Sequence, residues 1–356
     1  MLLLAAVALA AIGLLAIYGI GVSRSTPNLF QFQKQLVALS LGVAVALGLG
    51  YVDYRHIRSL ALPLGAAGSM MLIGVLILGS SNRNGGLWFT IGAISFQPVE
   101  LAKVILAIFL AAYLARHVHR RLTWIEFIGS IAATALYMVL VLLQPDFGSA
   151  MVFVALWGSM ALFCGLPRHA WWISLLVLVS IAGLLWGFGL RQYQRDRITS
   201  FIHPASDPYG ASYNVTQARI AIGSGGWFGK GIGEGSQARL RFLPEASTDF
   251  MFAVLGEELG FVGLSVVLGL FGFILYRMIL IGYLSGDPFA ALLMVGNAAV
   301  MLFHLLINAG MNLGLLPVTG IPLPFASGAA SSLISVFMMI GLAESIAVRK
   351  RREHGS

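Results

Sequence analysis

Charged side chains are scarce in this chain, and those that interrupt apolar sequence mark where chemistry would be done. Asp249 closes a long polar segment and abuts the apolar run that begins at Phe250. The stretch Leu243-Pro-Glu-Ala-Ser-Thr-Asp-Phe250 brings Glu245 and Asp249 to that boundary, and Glu257 and Glu258 follow inside the apolar run itself. Ionised carboxylates are costly in hydrocarbon, so their presence there points to function. A second constellation opens another apolar run: Gln97-Pro-Val-Glu100-Leu-Ala-Lys103. Pro98 suits a first helical turn, and Glu100 and Lys103, at i and i+3, share one helical face. Either they pair internally and orient their helix, or Lys103 holds an anionic substrate or Asp249. Gln144-Pro-Asp146 reads as a turn at a helix break.

The elements that must position these groups follow from composition. The chain is 58% hydrophobic and only 10% charged, with a mean hydropathy of +0.89, whereas soluble domains carry about 25% charged residues. Apolar runs long enough to cross a bilayer recur near 2–21, 35–52, 59–79, 98–115, 126–143, 147–166, 170–190, 250–282, 288–310 and 325–348. The expected fold is all-α and polytopic, with about ten transmembrane helices in a single domain over 1–354. A barrel would need short alternating strands, which are absent, and helices are the other way to satisfy backbone groups in lipid. The first run lacks a basic flank and reads as a retained helix rather than a signal peptide. Cys164, the single cysteine, excludes a disulfide framework or a thiolate metal cluster and reads as a small buried hydrophobe.

The formal charge of +8 is explained by topology rather than by nucleic-acid binding. With both termini cytoplasmic, the inner loops and tail hold Arg55, Arg58, Arg116, Arg120, Arg121, Arg168, Arg277, Arg349, Lys350, Arg351 and Arg352, against Arg24, Lys34 and Arg83 in the short outer loops. This asymmetry is the positive-inside pattern. It places the polar segment of roughly 192–249 outside the cell, in a large extracytoplasmic loop. Gly355-Ser356 read as an appended scar.

Nucleotide chemistry is not expected on that side. The Gly-rich stretch from Gly223 to Gly235 places Ser224 and Gly231 where a phosphate-binding loop needs Gly and Ser or Thr; its glycines suit close backbone turns. Tyr213 to Gly223 suits a short interfacial helix. Asn308 to Phe325 is rich in Pro and Gly between two apolar runs, which predicts a re-entrant or cavity-lining loop. Ser331 and Ser332 follow it, where small residues allow close helix packing. His117 and His119 at i, i+2 cannot share a helical face, and His169, His203 and His304 stand alone; none is given a role.

Three long motifs in order resemble the SEDS family of bacterial cell-wall polymerases, the RodA and FtsW proteins, over nearly the whole chain. They are Asn84-Gly-x-x-Trp-x-x-x-Gly92 with Gln97-Pro-x-Glu-x-x-Lys103; Leu243-Pro-Glu-x-x-Thr-Asp-Phe250 with Glu257-Glu-Leu-Gly260; and Gly314-Leu-Leu-Pro-Val-Thr-Gly-Ile-Pro-Leu-Pro-Phe325. Phe32-Gln-Lys-Gln-Leu36 and the short amino terminus resemble the RodA branch more than FtsW. Two departures stand out: Ser247 replaces a usual His, and Ser327-Gly-Ala-Ala-Ser-Ser332 replaces a Gly-richer pattern.

The resemblance implies a peptidoglycan glycosyltransferase of the inner membrane that polymerises lipid II on the outer face, for cell elongation and shape. The diphosphate leaving group supplies the driving force, so no nucleotide is needed. Asp249 is implied as the catalytic carboxylate, either as general base or as a ligand for a divalent cation such as Mg2+ or Mn2+. Lys103, with Arg197 or the cation, is expected to face the diphosphate, and Glu100 to orient Lys103. Arg191, Arg195 and Arg197 either bind diphosphate or snorkel to the interface. Glu245, Ser331 and Ser332 complete the expected substrate-binding set. A class B penicillin-binding protein and other elongation-complex membrane proteins are the implied partners, with no nucleic acid. Two alternatives compete: a flippase for lipid-linked oligosaccharides, and a non-catalytic scaffold for the transpeptidase.

Overall fold

The computed structural model describes residues 1–23, 27–81, 87–91, 94–117, 123–165, 172, 192–203, 210–240 and 242–354. Its helices are α1 (Leu2–Val22), α2 (Phe30–Tyr51), α3 (Tyr54–Ser59), α4 (Ala61–Leu78), α5 (Pro98–Leu114), α6 (Trp124–Leu142), α7 (Phe147–Phe163), α8 (Gln192–Ile202), α9 (Ala211–Ser224), α10 (Ser236–Arg239), α11 (Met251–Ser285), α12 (Pro288–Asn312) and α13 (Ala330–His354). Seven of them, α1, α2, α4, α6, α11, α12 and the 330–350 part of α13, are long and apolar enough to cross a membrane, and α7 is a shorter apolar helix. With α5, these account for nine of the ten expected spans. The tenth, expected at 170–190, lies outside the described residues.

The bundle is organised around α5. It is buried along nearly its whole length and packs against α4, α6, α7, α12 and α13. A charged side chain on such a helix has no route to water, which is why Lys103 and Glu100 must be paired. Around it α2 lies along α13, α11 along α12, and α7 along α12. Small residues permit the closest approaches: a Cβ at Gly341 would meet the backbone of Ala46, and one at Gly13 the backbone of Ala326.

Two spans differ from the hydropathy pattern. The last does not begin near 325: residues 313–329 are non-helical and α13 starts at Ala330. Pro317, Pro322 and Pro324 cannot donate to a helical ladder, in keeping with the loop expected there, although the helix before it runs on through Asn312, beyond the expected loop start at 308. The run from 250 is also not one straight span, because α11 breaks at Gly260, whose φ is 67° and ψ −167°. Glu257 and Glu258 therefore sit on a short helical piece before the break rather than deep in the span.

Glu257 is fully buried and neutralised by the Gly-rich segment folded over it. Its carboxylate accepts from Lys230 Nζ at 2.8 Å, Ser236 Oγ at 3.1 Å and the Gln237 amide at 3.2 Å. Glu258 accepts from the Gly233 amide at 2.9 Å. Gly260 is the joint: its conformation is essentially restricted to glycine, and a Cβ there would lie 2.3 Å from the Gly229 nitrogen. Gly260→Ala is expected to destabilise the protein by about 3 kcal/mol and to lower its thermal midpoint in detergent. Gly269→Ala, with open space around the new methyl, serves as the control; equal midpoints would remove the strain argument.

Outside the apolar runs, described residues between α4 and α5 form a small antiparallel sheet, and the described spans themselves are helical as expected. β1 (Ser80–Ser81) pairs with β2 (Leu87–Ile91), Ser80 opposite Trp88, and β2 pairs with β3 (Ile94–Phe96), Thr90 opposite Ser95. It lies at the same end of the bundle as the α1–α2, α6–α7 and α12–α13 connections and the start of α11. Asp53, Arg55, Arg58, Arg116 and Arg349 lie at the opposite end, where Arg349 Nε pairs with Asp53 at 3.5 Å and Arg58 with Asp287 at 3.6 Å.

Candidate functional site

Several elements at the sheet end contribute to one cavity of about 680 Å³. Gln31 and Lys34 enter from the start of α2, Trp88 and Ser95 from the sheet, and Gln97 from the residue before α5. Asp146 enters from the α6–α7 turn, Arg197 from α8, and Glu245, Thr248 and Asp249 from the turn before α11. Residues 316–320 and Pro322 form another wall, as the Pro- and Gly-rich sequence led one to expect of a cavity-lining loop.

Local geometry explains the placement of Asp249. The Glu245 carbonyl accepts from the amides of Thr248, Asp249 and Phe250 at 3.1–3.2 Å, so 245–250 is a tight turn delivering its carboxylates to the cavity just before the helix starts. The turn is pinned from α13's leading loop, where Ser327 Oγ donates to the Thr248 carbonyl at 2.6 Å and the Gly328 amide to the Ser247 carbonyl at 2.6 Å. Ser247, where the family pattern has His, contributes only its backbone to these bonds.

Gly320 decides how Asp249 meets its cation. Its φ is +78°, and a Cβ there would stand 3.6 Å from Asp249 Oδ2 and 3.8 Å from Arg197 NH1. Carboxylate and guanidinium thus converge on one bare backbone position. Arg197 is steadied by donation from NH1 to the Val318 carbonyl at 3.3 Å. Burial and then the nearby Glu245 charge push the Asp249 carboxyl up to about 6, against the opposing pull of Arg197 and a Thr248 hydrogen bond. Such a value suits a group that takes up a proton near neutral pH.

Several expected residues lie elsewhere. Lys103 does not line the cavity: its ammonium is buried, 2.7 Å from Glu100 Oε1 and 3.2 Å from His304 Nε2. Glu100 does hold Lys103, as the i, i+3 spacing suggested, and Ser335 Oγ donates to its other oxygen at 3.3 Å. The pair stands one layer behind the cavity wall, and neither it nor Asp249 reaches the other. Ser331 accepts the Gln97 amide at 3.0 Å and so fixes the start of α5, while Ser332 is buried; neither lines the cavity. Arg191 lies outside the described residues, and Arg195 on α8 is not part of the cavity wall. Asp146, taken from sequence as a turn residue, caps α7 through the Ser149 amide at 2.9 Å and faces the cavity.

Two features of the site were not read from sequence. Lys34 was counted as an outer-loop charge, yet it lies on α2, faces the cavity and donates to Ser95 Oγ at 2.7 Å. The segment around it, Phe32 to Leu36, carried the available signal. From sequence His304 has no role, and Asn308 and Asn312 fall in the loop expected over 308–325, whereas all three lie on one face of α12. Among the described residues, no three of His, Cys, Asp and Glu are gathered closely enough to hold a metal ion. Glu245 and Asp249 both line the cavity, and the Glu245 charge helps to raise the Asp249 carboxyl; hard oxygens of this kind are what a divalent cation would need.

Fold and site together define a multi-pass helical membrane protein with a carboxylate- and cation-lined cavity at one end of its bundle. The FtsW/RodA/SpoVE family, described as cell cycle protein, matches residues 1–352, and the chain belongs to this family. It is 32% identical to the peptidoglycan glycosyltransferase MrdB of Escherichia coli (strain K12), over 92% of this chain and 89% of that protein. It is 38% identical to the probable peptidoglycan glycosyltransferase FtsW of Shewanella sediminis, over 74% and 65%. Among solved structures it is similar to a chain of a peptidoglycan synthase complex that coordinates polymerization and crosslinking, with a TM-score of 0.81, 30% identity and coverage of 98% and 97%. The rod shape determining protein RodA of Thermus thermophilus gives a TM-score of 0.72 at 29% identity, covering 98% and 96%.

Proposed function

We propose that the chain is a peptidoglycan glycosyltransferase that extends glycan strands from lipid II, with Asp249 as general base and Arg197 and Lys34 facing the leaving diphosphate. The observation that carries this assignment of roles is the convergence of Asp249 and Arg197 on Gly320 inside a cavity large enough for a sugar and its phosphates. In the reaction the acceptor hydroxyl attacks the anomeric carbon as the bond from that carbon to the diphosphate oxygen breaks. Asp249 takes the hydroxyl proton, and the diphosphate leaves with the electron pair toward the two cations. Placing base and cations in advance lowers the barrier because charge develops where they already stand. In the alternative role, Asp249 and Glu245 would together hold a divalent cation, which would supply positive charge to the diphosphate, and another group would take the hydroxyl proton.

Lys103 takes a different part from the one its motif suggested. Bonded to Glu100 and His304, it holds buried helices together behind the wall rather than touching the diphosphate. The cavity opens at the end opposite Arg55, Arg58, Arg116 and Arg349, and the positive-inside rule supports reading that end as extracytoplasmic with both termini cytoplasmic, in the inner membrane that the proposed chemistry calls for. Lipid-linked substrates present their sugars at that level. A transporter would need polar groups along the full membrane depth, whereas here the titratable cavity residues gather at one end. By likeness to the synthase complex, a crosslinking penicillin-binding protein is the partner proposed.

The test is polymerisation of fluorescent lipid II by the purified chain, alone and with its crosslinking partner, across pH. The Asp249 carboxyl is raised above its ordinary range to about 6, and its ionised form is the active base. Turnover is therefore expected to be half-maximal near pH 6, to level off about one unit above it and to fall roughly tenfold per pH unit well below it. A rate independent of pH between 5 and 7 would rule out this base, and absence of polymer even with the partner would rule out the polymerase.

A further inference from the structure

Three side chains on α12 form a polar rail behind the cavity. His304, Asn308 and Asn312 are spaced i, i+4, i+8, which aligns them on one helical face, and all three are almost completely buried. Buried amides and imidazoles are retained where their hydrogen bonds are made, so their partners show what the rail holds.

Asn308 is the central joint. Its Nδ2 donates both to the Asp249 carbonyl at 2.9 Å and to the Ile321 carbonyl at 2.8 Å. One amide nitrogen therefore ties the backbone of the catalytic turn to the residue beside Gly320. Asn312 donates to the same Asp249 carbonyl at 3.1 Å, and its Oδ1 accepts the Ala253 amide at 3.1 Å, serving as a helix cap for α11 supplied from another helix. At the other end, Lys103 can only donate to His304 Nε2, at 3.2 Å. The ring proton then sits on Nδ1, which faces the Pro322 carbonyl at 3.4 Å. Three successive turns of α12 thus grip Pro322, Ile321 and Asp249, the backbone on which the carboxylate and Gly320 are mounted.

We propose that the His304–Asn308–Asn312 rail is the positioning device of the active site, with Asn308 setting the distance between the Asp249 carboxylate and the Gly320–Arg197 side of the cavity. The inference rests on the polymerase reading given above for its kinetic test and on backbone contacts alone for its structural one. Asn308 touches no substrate. Removing it leaves the Ile321 carbonyl without its donor and the Asp249 carbonyl with one instead of two.

Asn308→Leu, with the same branching and number of side-chain heavy atoms but without donors, is the variant to measure, with Asn297→Leu, an identical change in size, as the control. Asn297 is another fully buried amide on α12, with neither side-chain atom hydrogen-bonded among the described residues. The expected result for Asn308→Leu is a fall in kcat of about 10²-fold, the scale of a 1 Å misplacement, with KM within threefold and a displaced acid limb in the pH–rate profile. In a cycle with Gly320→Ala the two effects should be less than additive, since both disturb one distance. Asn297→Leu should do none of this. Hydrogen exchange gives the readout without turnover: amides of 245–253 and 318–323 should exchange faster in Asn308→Leu and not in Asn297→Leu. Altered exchange with an inactive wild type would remove the polymerase reading while keeping the rail. Unaltered exchange in these two segments, or a kcat loss explained by less folded protein with an unmoved acid limb, would overturn the rail.

Discussion

Asp249→Asn is expected to abolish glycan polymerisation while leaving the chain folded, with a loss of about 10³-fold or more in kcat. The substitution keeps the size of the side chain and the backbone bonds from Asn308 and Asn312, and removes only the proton acceptor and the charge facing Arg197. Full activity in this variant would sink the assignment. The two roles open to Asp249 separate in the same experiment through the cation dependence. If the carboxylate chiefly holds a divalent cation with Glu245, raising Mg2+ or Mn2+ restores much of the rate, because an amide oxygen still ligates a hard ion weakly. If it is the base, no cation concentration restores it. Glu245→Gln sharpens the distinction. With the like charge gone, the Asp249 carboxyl falls from about 6 toward its ordinary value, and the acid limb moves to lower pH.

Arg197→Ala carries the second large effect, an expected loss of 10²–10³-fold in kcat, about 3–4 kcal/mol of transition-state stabilisation. The guanidinium and the Asp249 carboxylate both approach Gly320, and the Arg197 charge acts directly on that carboxylate. Arg197→Lys should recover only part of the loss, since a point charge replaces a planar fork that matches two phosphate oxygens. One consequence separates this role from mere structural support. Arg197 holds the Asp249 carboxyl down against burial and Glu245, so removing it should move the acid limb of the rate profile to higher pH. A rate loss with an unmoved limb would show that Arg197 acts without contact with the Asp249 field, and unchanged kcat would show that the leaving diphosphate lies elsewhere.

The membrane class and nine of the helices were legible in the sequence because hydropathy is a local property, written wherever about 20 apolar residues follow one another. Asp249 was legible for a related reason: a carboxylate at the edge of such a run is conspicuous. Asp249, Glu245 and Arg197 were all placed in the expected set, and the structure brings the three into one cavity. Lys103 was read from the same kind of signal, an ion in an apolar run, and it lies behind the wall. Its motif records that α5 needs a paired charge and says nothing of which way the pair faces.

Other errors share a cause. Apolar composition at 260 suggested one continuous helix, but a glycine in a conformation barred to other residues breaks it. Lys34 looked like a loop charge because its approach to Ser95 spans 61 positions, and the Asn308 bond to Asp249 spans 59. No local pattern carries such information. The sequence by itself determined the solvent this protein folds in, the number and course of most of its helices, and the carboxylate that marks its site. Tertiary structure alone decided which cations meet that carboxylate and what holds it, because those distances are set by how buried helices pack, and packing depends on residues far apart in the chain.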